Sequence, residues 1–246
     1  MRTLFHLRDI PIRVHFTLAI AFLFLLFQWG VWGLPGGVIL FASVLAHELG
    51  HAAVAQKLGI SIASIDLHLL GGTANMGEHP AEPADEIMIA AAGPLVSLGL
   101  ALVAGLLAWA LNPSFILNIG SVSGVFAFTA AVNFMLGVFN LIPALPMDGG
   151  RILRGLLARK MSAVRATKIA GRFARVIAVG LGLWGIGSAN FSLTLIAVFV
   201  YFLSKREEHM ANLREASSRW AQNWEAKMDP KMDGYIIDVT PKYQGP

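Results

Sequence analysis

Two histidines and a glutamate, His47, Glu48 and His51, interrupt an almost wholly apolar stretch that runs from Val38 to Ala55. Ionisable side chains are expensive in such a setting and mark functional sites. On a helix, His47 and His51 lie one turn apart on one face, so both imidazoles can grip one metal ion while Glu48 projects beside them toward a water. A His-Glu-x-x-His pattern arises by chance in roughly one of a hundred and fifty chains of this size and composition. A packed structural histidine explains a lone His on an apolar face, but not a second one at i+4 with an ionisable Glu between them. The chain has no cysteine, so a zinc ion would take nitrogen and oxygen ligands only.

Two histidines leave a zinc site incomplete, because catalytic zinc takes three protein ligands and keeps a fourth position open. The best candidate for the third ligand is Asp148, at the end of Asn140-Leu141-Ile142-Pro143-Ala144-Leu145-Pro146-Met147-Asp148-Gly149-Gly150. Prolines at 143 and 146 forbid an ordinary helix end and predict an unwound stretch that is buried in protein or lines a cavity. The alternative is an Asp-Gly surface turn. His15 and His68 are weaker candidates, read as packed or interfacial histidines.

The elements that must position these residues are membrane spans. Hydrophobic residues make up 56% of the 246-residue chain and charged residues 14%, with a mean hydropathy of +0.63. That composition fits an all-α polytopic membrane protein rather than a soluble domain. Six apolar runs are predicted to cross: 14–32, 36–56, 87–111, 122–142, 176–188 and 191–203. The first is long enough to span and lacks a signal-peptide cleavage pattern. Connections 33–35, 112–121 and 189–190 contain no Lys or Arg, so all 19 basic residues fall on the other side. By the positive-inside rule both termini are cytoplasmic, as for a multi-pass protein of a plasma or inner membrane, and the metal motif sits nearer the cytoplasmic face. The net charge of +4 then reads as a topology signal with affinity for anionic lipid headgroups, and not as a nucleic-acid surface. Between the second and third runs, residues 62–76 alternate in polarity, with Gly71-Gly72 as a turn, and predict a membrane-associated β-hairpin.

These residues resemble the site-2 proteases, zinc metalloproteases that cut substrate helices within the membrane. The resemblance covers about residues 8 to 205. It rests on Pro11-Ile12-Arg13-Val14-His15, Ala46-His47-Glu48-Leu49-Gly50-His51, Ala92-Gly93-Pro94, and Phe139-Asn140-Leu141-Ile142-Pro143 through Asp148-Gly149-Gly150-Arg151, with Met147 where the family more often has Leu. It implies His47, His51 and Asp148 as ligands of Zn2+ and Glu48 as general base. Asn140 would help to hold the substrate backbone or the developing oxyanion. The implied partner is a membrane-tethered protein whose transmembrane helix unwinds locally, releasing a cytoplasmic fragment, and a homo-oligomer is left open. The resemblance further implies that the hairpin offers an edge strand to the unwound substrate, with Gly71 and Gly72 on the substrate side. The alternative is an interfacial loop with no substrate role. Asn133, two turns before Asn140 on nearly the same face, is read equally as a packing hydrogen bond and as a substrate contact.

Six spans without an inserted module look like the compact branch of the family, giving a protease core of residues 1–205 and a cytoplasmic tail of 206–246. In the tail, 206–227 is compatible with a helix carrying Trp220 and Trp224 at i, i+4, and 235–239 with a short strand in an otherwise solvated segment. The competing function is a non-proteolytic protein that binds or transports zinc. Transport calls for ligands at several depths, yet Glu48 is the only carboxylate within the apolar runs, with Asp148 a few residues beyond the fourth.

Overall fold

The computed structural model describes residues 2–7, 10–68, 71–77, 80, 82–114, 117 and 119–225. Strands β1 (Arg2–Leu7) and β2 (Ile10–Val14) lead into α1 (Thr17–Trp29), a 3-10 turn (Gly30–Trp32) and α2 (Gly33–Lys57). Strands β3 (Ile62–His68) and β4 (Gly71–Met76) precede α3 (Pro83–Leu111), α4 (Val122–Asn140), α5 (Asp148–Ala158), α6 (Ala163–Gly187) and α7 (Phe191–Glu225).

The helices bury their small residues and expose their large ones. In α6, Ala166, Ala170, Ala174 and Ala178 are buried while Val176, Leu183 and Ile186 are 68 to 73% exposed. In α3 and α4, Ala101, Ala104, Ala108, Ala127 and Ala130 face inward, and Leu102, Leu106, Trp109 and Phe134 face outward. A soluble protein does the reverse. When the surroundings are as apolar as the side chains, close backbone approach gains dispersion contacts and bulky residues lose nothing by facing lipid. Four helical stretches are long and apolar enough to cross a membrane: Thr17–Lys57, Pro83–Leu111, Val122–Asn140 and Ala163–Gly187. The first of these doubles back at the 3-10 turn, with Phe22 of α1 stacked on Phe41 of α2 at 5.3 Å between ring centroids.

Several sequence expectations change in the structure. The sixth apolar run, 191–203, is the opening of a single 35-residue helix, α7, that continues through the charged residues 205–208 to Glu225, and Trp220 and Trp224 stack on it. The fifth run, 176–188, is the second half of α6, which starts at Ala163 among Arg165, Lys168 and Arg172. A helix needs only its backbone hydrogen bonds to run on past the apolar boundary, so span edges read from hydropathy understate both. The fold is also less purely helical than all-α. The predicted hairpin β3–β4 belongs to a four-stranded sheet in the order β1-β2-β3-β4, in which β2 and β3 are parallel and the outer pairs antiparallel. Ile10, Ile12 and Val14 alternate as a strand should, but they abut the first apolar run and read as its lead-in. The expected short strand at 235–239 lies outside the described residues.

The sheet seats the second half of α2. Ile10, Ile12, Ile65 and Leu67 turn one face onto Val44 and Ala52, with Leu45 and Leu49 beside them. Burying four such side chains at roughly 1.5 to 3 kcal/mol each fixes the helix turns that carry the His-Glu-x-x-His motif. Gly71 and Gly72 are not the hairpin turn. They open β4, opposite His68 and Leu67; Gly71 takes a positive φ of 126°, which favours glycine, and at Gly72 the backbone passes so close to α2 that a side chain would collide with it.

Candidate metal centre

Three side chains from two helices converge on one point. The α2 helix presents His47 and His51 from successive turns, and the first turn of α5 presents Asp148. Residues 141–147 between α4 and α5 form turns, the unwound stretch that Pro143 and Pro146 predict. Asp148 therefore stands at a helix N-terminus, where free backbone N–H groups favour a carboxylate. Arg154 of α5 pairs with Glu86 of α3 and holds the short helix in place.

The Asp148 Oδ2 atom lies 3.0 Å from His47 Nε2 and 3.3 Å from His51 Nε2. The three side chains are buried, at 4%, 7% and 8% exposure for His47, His51 and Asp148. They form the cluster among the described residues that could hold a metal ion. Zinc ligands at about 2.0–2.1 Å in a tetrahedron stand about 3.3 Å apart, close to the spacing seen here.

The far side of each imidazole is also fixed. The His51 Nδ1–H donates to the Ile89 carbonyl at 2.7 Å, and His47 Nδ1 meets Ser97 Oγ at 2.9 Å. Because a carbonyl can only accept, the neutral His51 ring has a bare lone pair on Nε2. That lone pair faces a carboxylate oxygen, an arrangement that requires a cation or a proton between them. A Cβ built on Gly93 would lie 2.2 Å from His51 Nε2 and 2.7 Å from His47 Nε2, so α3 leaves open the space in front of the ligand atoms. Donor types, spacing, orienting partners and this opening together fit zinc.

Glu48 lies beside this cluster on α2, and β4 crosses it. Its Oε2 accepts a hydrogen bond from the Ala74 backbone N–H at 3.1 Å, and a Cβ on Gly72 would meet Glu48 Cγ at 2.7 Å. Gly72 is thus placed against the motif, while Gly71, one residue earlier, has open space around it. The other sequence candidates lie elsewhere. Asn140, at the end of α4, donates to the Leu136 carbonyl of its own helix. Asn133 is fully buried and donates to Ser43 Oγ of α2 and to the Thr129 carbonyl, a link between helices. His15 hydrogen-bonds Thr17 and is not in the cluster, nor is His68 of β3.

Ser97 and the Ile89 carbonyl escape sequence reading. Neither carries a signal, since a serine in an apolar helix is ordinary and a carbonyl belongs to every residue. The pattern 89, 93, 97 along one face of α3, opposite a two-histidine helix, is what could have pointed to them. Ser97→Ala is expected to weaken zinc binding about 10- to 100-fold, as the loss of an outer partner of a ligating histidine does, with the fold unchanged. Competition with a calibrated chelator measures it.

Sequence comparison agrees with this geometry. The sequence model of Peptidase family M50 matches residues 36–115 and 110–181, a region that contains both histidines, Glu48 and Asp148. The chain belongs to peptidase family M50. Within the family, a zinc metalloprotease of Methanocaldococcus jannaschii is 38% identical over 85% of this chain, and stage IV sporulation protein FB of Bacillus subtilis is 27% identical over 72%. The chain spans 61% of the length of each of these relatives. The solved structure of a site-2 protease from Methanocaldococcus jannaschii is similar with a TM-score of 0.65 and 36% identity, covering 84% of this chain and 94% of that one.

Proposed function

We propose that this M50 chain is an intramembrane zinc endopeptidase that hydrolyses peptide bonds in locally unwound transmembrane segments of membrane-tethered proteins and releases a cytoplasmic fragment. The observation that carries the reading is a carboxylate, Glu48, set beside a compact two-histidine, one-aspartate cluster and bonded to an edge strand of the sheet, β4. Zinc held by His47, His51 and Asp148 would polarise the peptide carbonyl and acidify a water. Glu48 takes the proton from the attacking water and later returns it to the leaving amine. Asn140 holds the substrate backbone or the oxyanion, for which it must exchange its bond to the Leu136 carbonyl. Asn133 lies too deep to reach a substrate while α2 and α4 stay packed, which favours its role as a link between helices.

The arrangement in the bilayer is part of the same proposal. Six crossings follow if α1 and α2 count separately and the apolar part of α7 spans with α6. Both termini and the basic residues then face the cytoplasm, in a plasma or inner membrane. Residues 1–205 form the protease core, and the remainder a cytoplasmic extension whose first part continues α7. A substrate docks by strand addition at β4, the outermost strand beside Glu48, with Gly71 and Gly72 at the start of the docking edge. Whether two copies associate is decided by the mass of the purified particle.

Co-expression with membrane-tethered candidate proteins tests this reading. A soluble cytoplasmic fragment should appear with the wild-type chain and disappear with His47→Ala. Equal fragment yield from both would overturn it.

A further inference from the structure

We propose that the backbone N–H of Ala74 is shared: it holds Glu48 while no substrate is bound and is surrendered to a substrate carbonyl when a strand joins the sheet at β4. The inference rests on the reading of β4 as the docking edge and deepens it.

Among the described residues, strand β4 is the last in the sheet and pairs with β3 alone. Along an antiparallel strand, residues alternate between turning their backbone groups toward the neighbouring strand and away from it. Ala74, opposite Ile65 in register, turns away, because its N–H meets a carboxylate of α2 at 3.1 Å. It therefore belongs to the free edge of the sheet. Gly72, two residues earlier, brings the strand so close to α2 that an added Cβ would meet Glu48 Cγ at 2.7 Å and Val44 Cγ1 at 3.2 Å. The helix residue that bonds this edge is the ionisable residue between the two histidines.

An incoming strand needs that same donor. Strand addition uses every second residue of the edge, so a substrate in register across residue 74 must offer its own carbonyl to the Ala74 N–H. One N–H cannot serve a carboxylate and a carbonyl equally well. The bond to the carboxylate is charge-assisted and the stronger single bond, but the substrate forms further ladder bonds along β4 and displaces it. Glu48 is then released only when a peptide lies in register at a fixed distance from the metal ligands. Without substrate, the Oε2 oxygen of Glu48 is engaged by the sheet edge. Ala74 and Gly72 are in this sense positioning residues for Glu48, and the register of strand addition sets which peptide bond faces it.

Hydrogen exchange of the Ala74 amide tests both halves in the zinc-loaded protein in detergent micelles, read on 15N-alanine-labelled protein. Without substrate, exchange should be slow in the wild type and in Glu48→Gln, whose amide oxygen still accepts, and about tenfold or more faster in Glu48→Ala. Equal exchange in all three proteins would overturn the holding of Glu48. The second half is read in Glu48→Ala, with a synthetic leucine-rich transmembrane peptide carrying a central Gly-Asn-Pro break as the probe. The peptide should restore slow exchange at Ala74. Persistent fast exchange in its presence would overturn strand addition at this position, while leaving the first result, and the assignment of Glu48 as base, to stand on their own measurements.

Discussion

Glu48→Gln is expected to keep a full complement of zinc and to lose cleavage by about two to four orders of magnitude, the usual contribution of a general base. The substitution is nearly isosteric. The glutamine oxygen can still accept from the Ala74 N–H, so the side chain stays where the carboxylate lies. Its amide cannot take a proton from water at neutral pH. His47, His51 and Asp148 are untouched, and their orienting partners Ser97 and Ile89 lie on another helix. The variant thus separates proton transfer from metal binding. Metal analysis of the purified protein and the rate of fragment release check it together, and zinc loss in Glu48→Gln would make Glu48 part of the metal site instead.

Gly93→Ala should remove the metal with hardly any change to the helix. A methyl group there would stand 2.2 Å from one ligand nitrogen and 2.7 Å from the other, well inside contact distance. Either the rings turn away from Asp148 or the metal position is filled. Both imidazoles are held on their far sides by Ile89 and Ser97, so turning away breaks a buried hydrogen bond as well. Zinc affinity is expected to fall by at least about a hundredfold, beyond the loss from an outer partner alone, with cleavage lost in parallel. Alanine is a better helix former than glycine, which offsets part of the cost of moving a ring, so the fold should be retained. Gly99→Ala on the same helix is the control, since nothing lies within 4 Å of a Cβ there. Normal zinc in Gly93→Ala would mean that the ion sits elsewhere.

The candidate cluster was legible because each member violates its surroundings. Histidines at i and i+4 with a glutamate between them have no structural reason to sit in an apolar helix. Asp148 follows two prolines that stop a helix at a depth where loose backbone is costly. The structure brings these three ligand candidates to one point across about a hundred residues of chain. What the sequence hid is relational. Gly93 reads as a packing glycine until the rings opposite it are seen, and Ser97 as one more small residue in a tightly packed span. Gly71 and Gly72 read as a turn because paired glycines usually are one, whereas the strand needs Gly72 bare against Glu48. The N-terminal strands were concealed for a different reason. Their alternation runs straight into the first apolar helix, so periodicity found no boundary between the two.

Helix lengths were the least legible feature. Hydropathy marks where lipid contact ends, and α6 and α7 both run on through charged residues, joined by the pair Arg175 and Glu208. Such continuations gain backbone hydrogen bonds at little cost once the helix has been nucleated within the bilayer.

The most direct measurement is the position of the cut. The purified chain, reconstituted in liposomes with a membrane-tethered substrate, should yield a fragment whose new terminus, read by mass spectrometry, lies inside the substrate's apolar span. Chelation should stop its appearance and added zinc restore it. A terminus outside the span, or a cut that survives complete removal of zinc, would contradict the account.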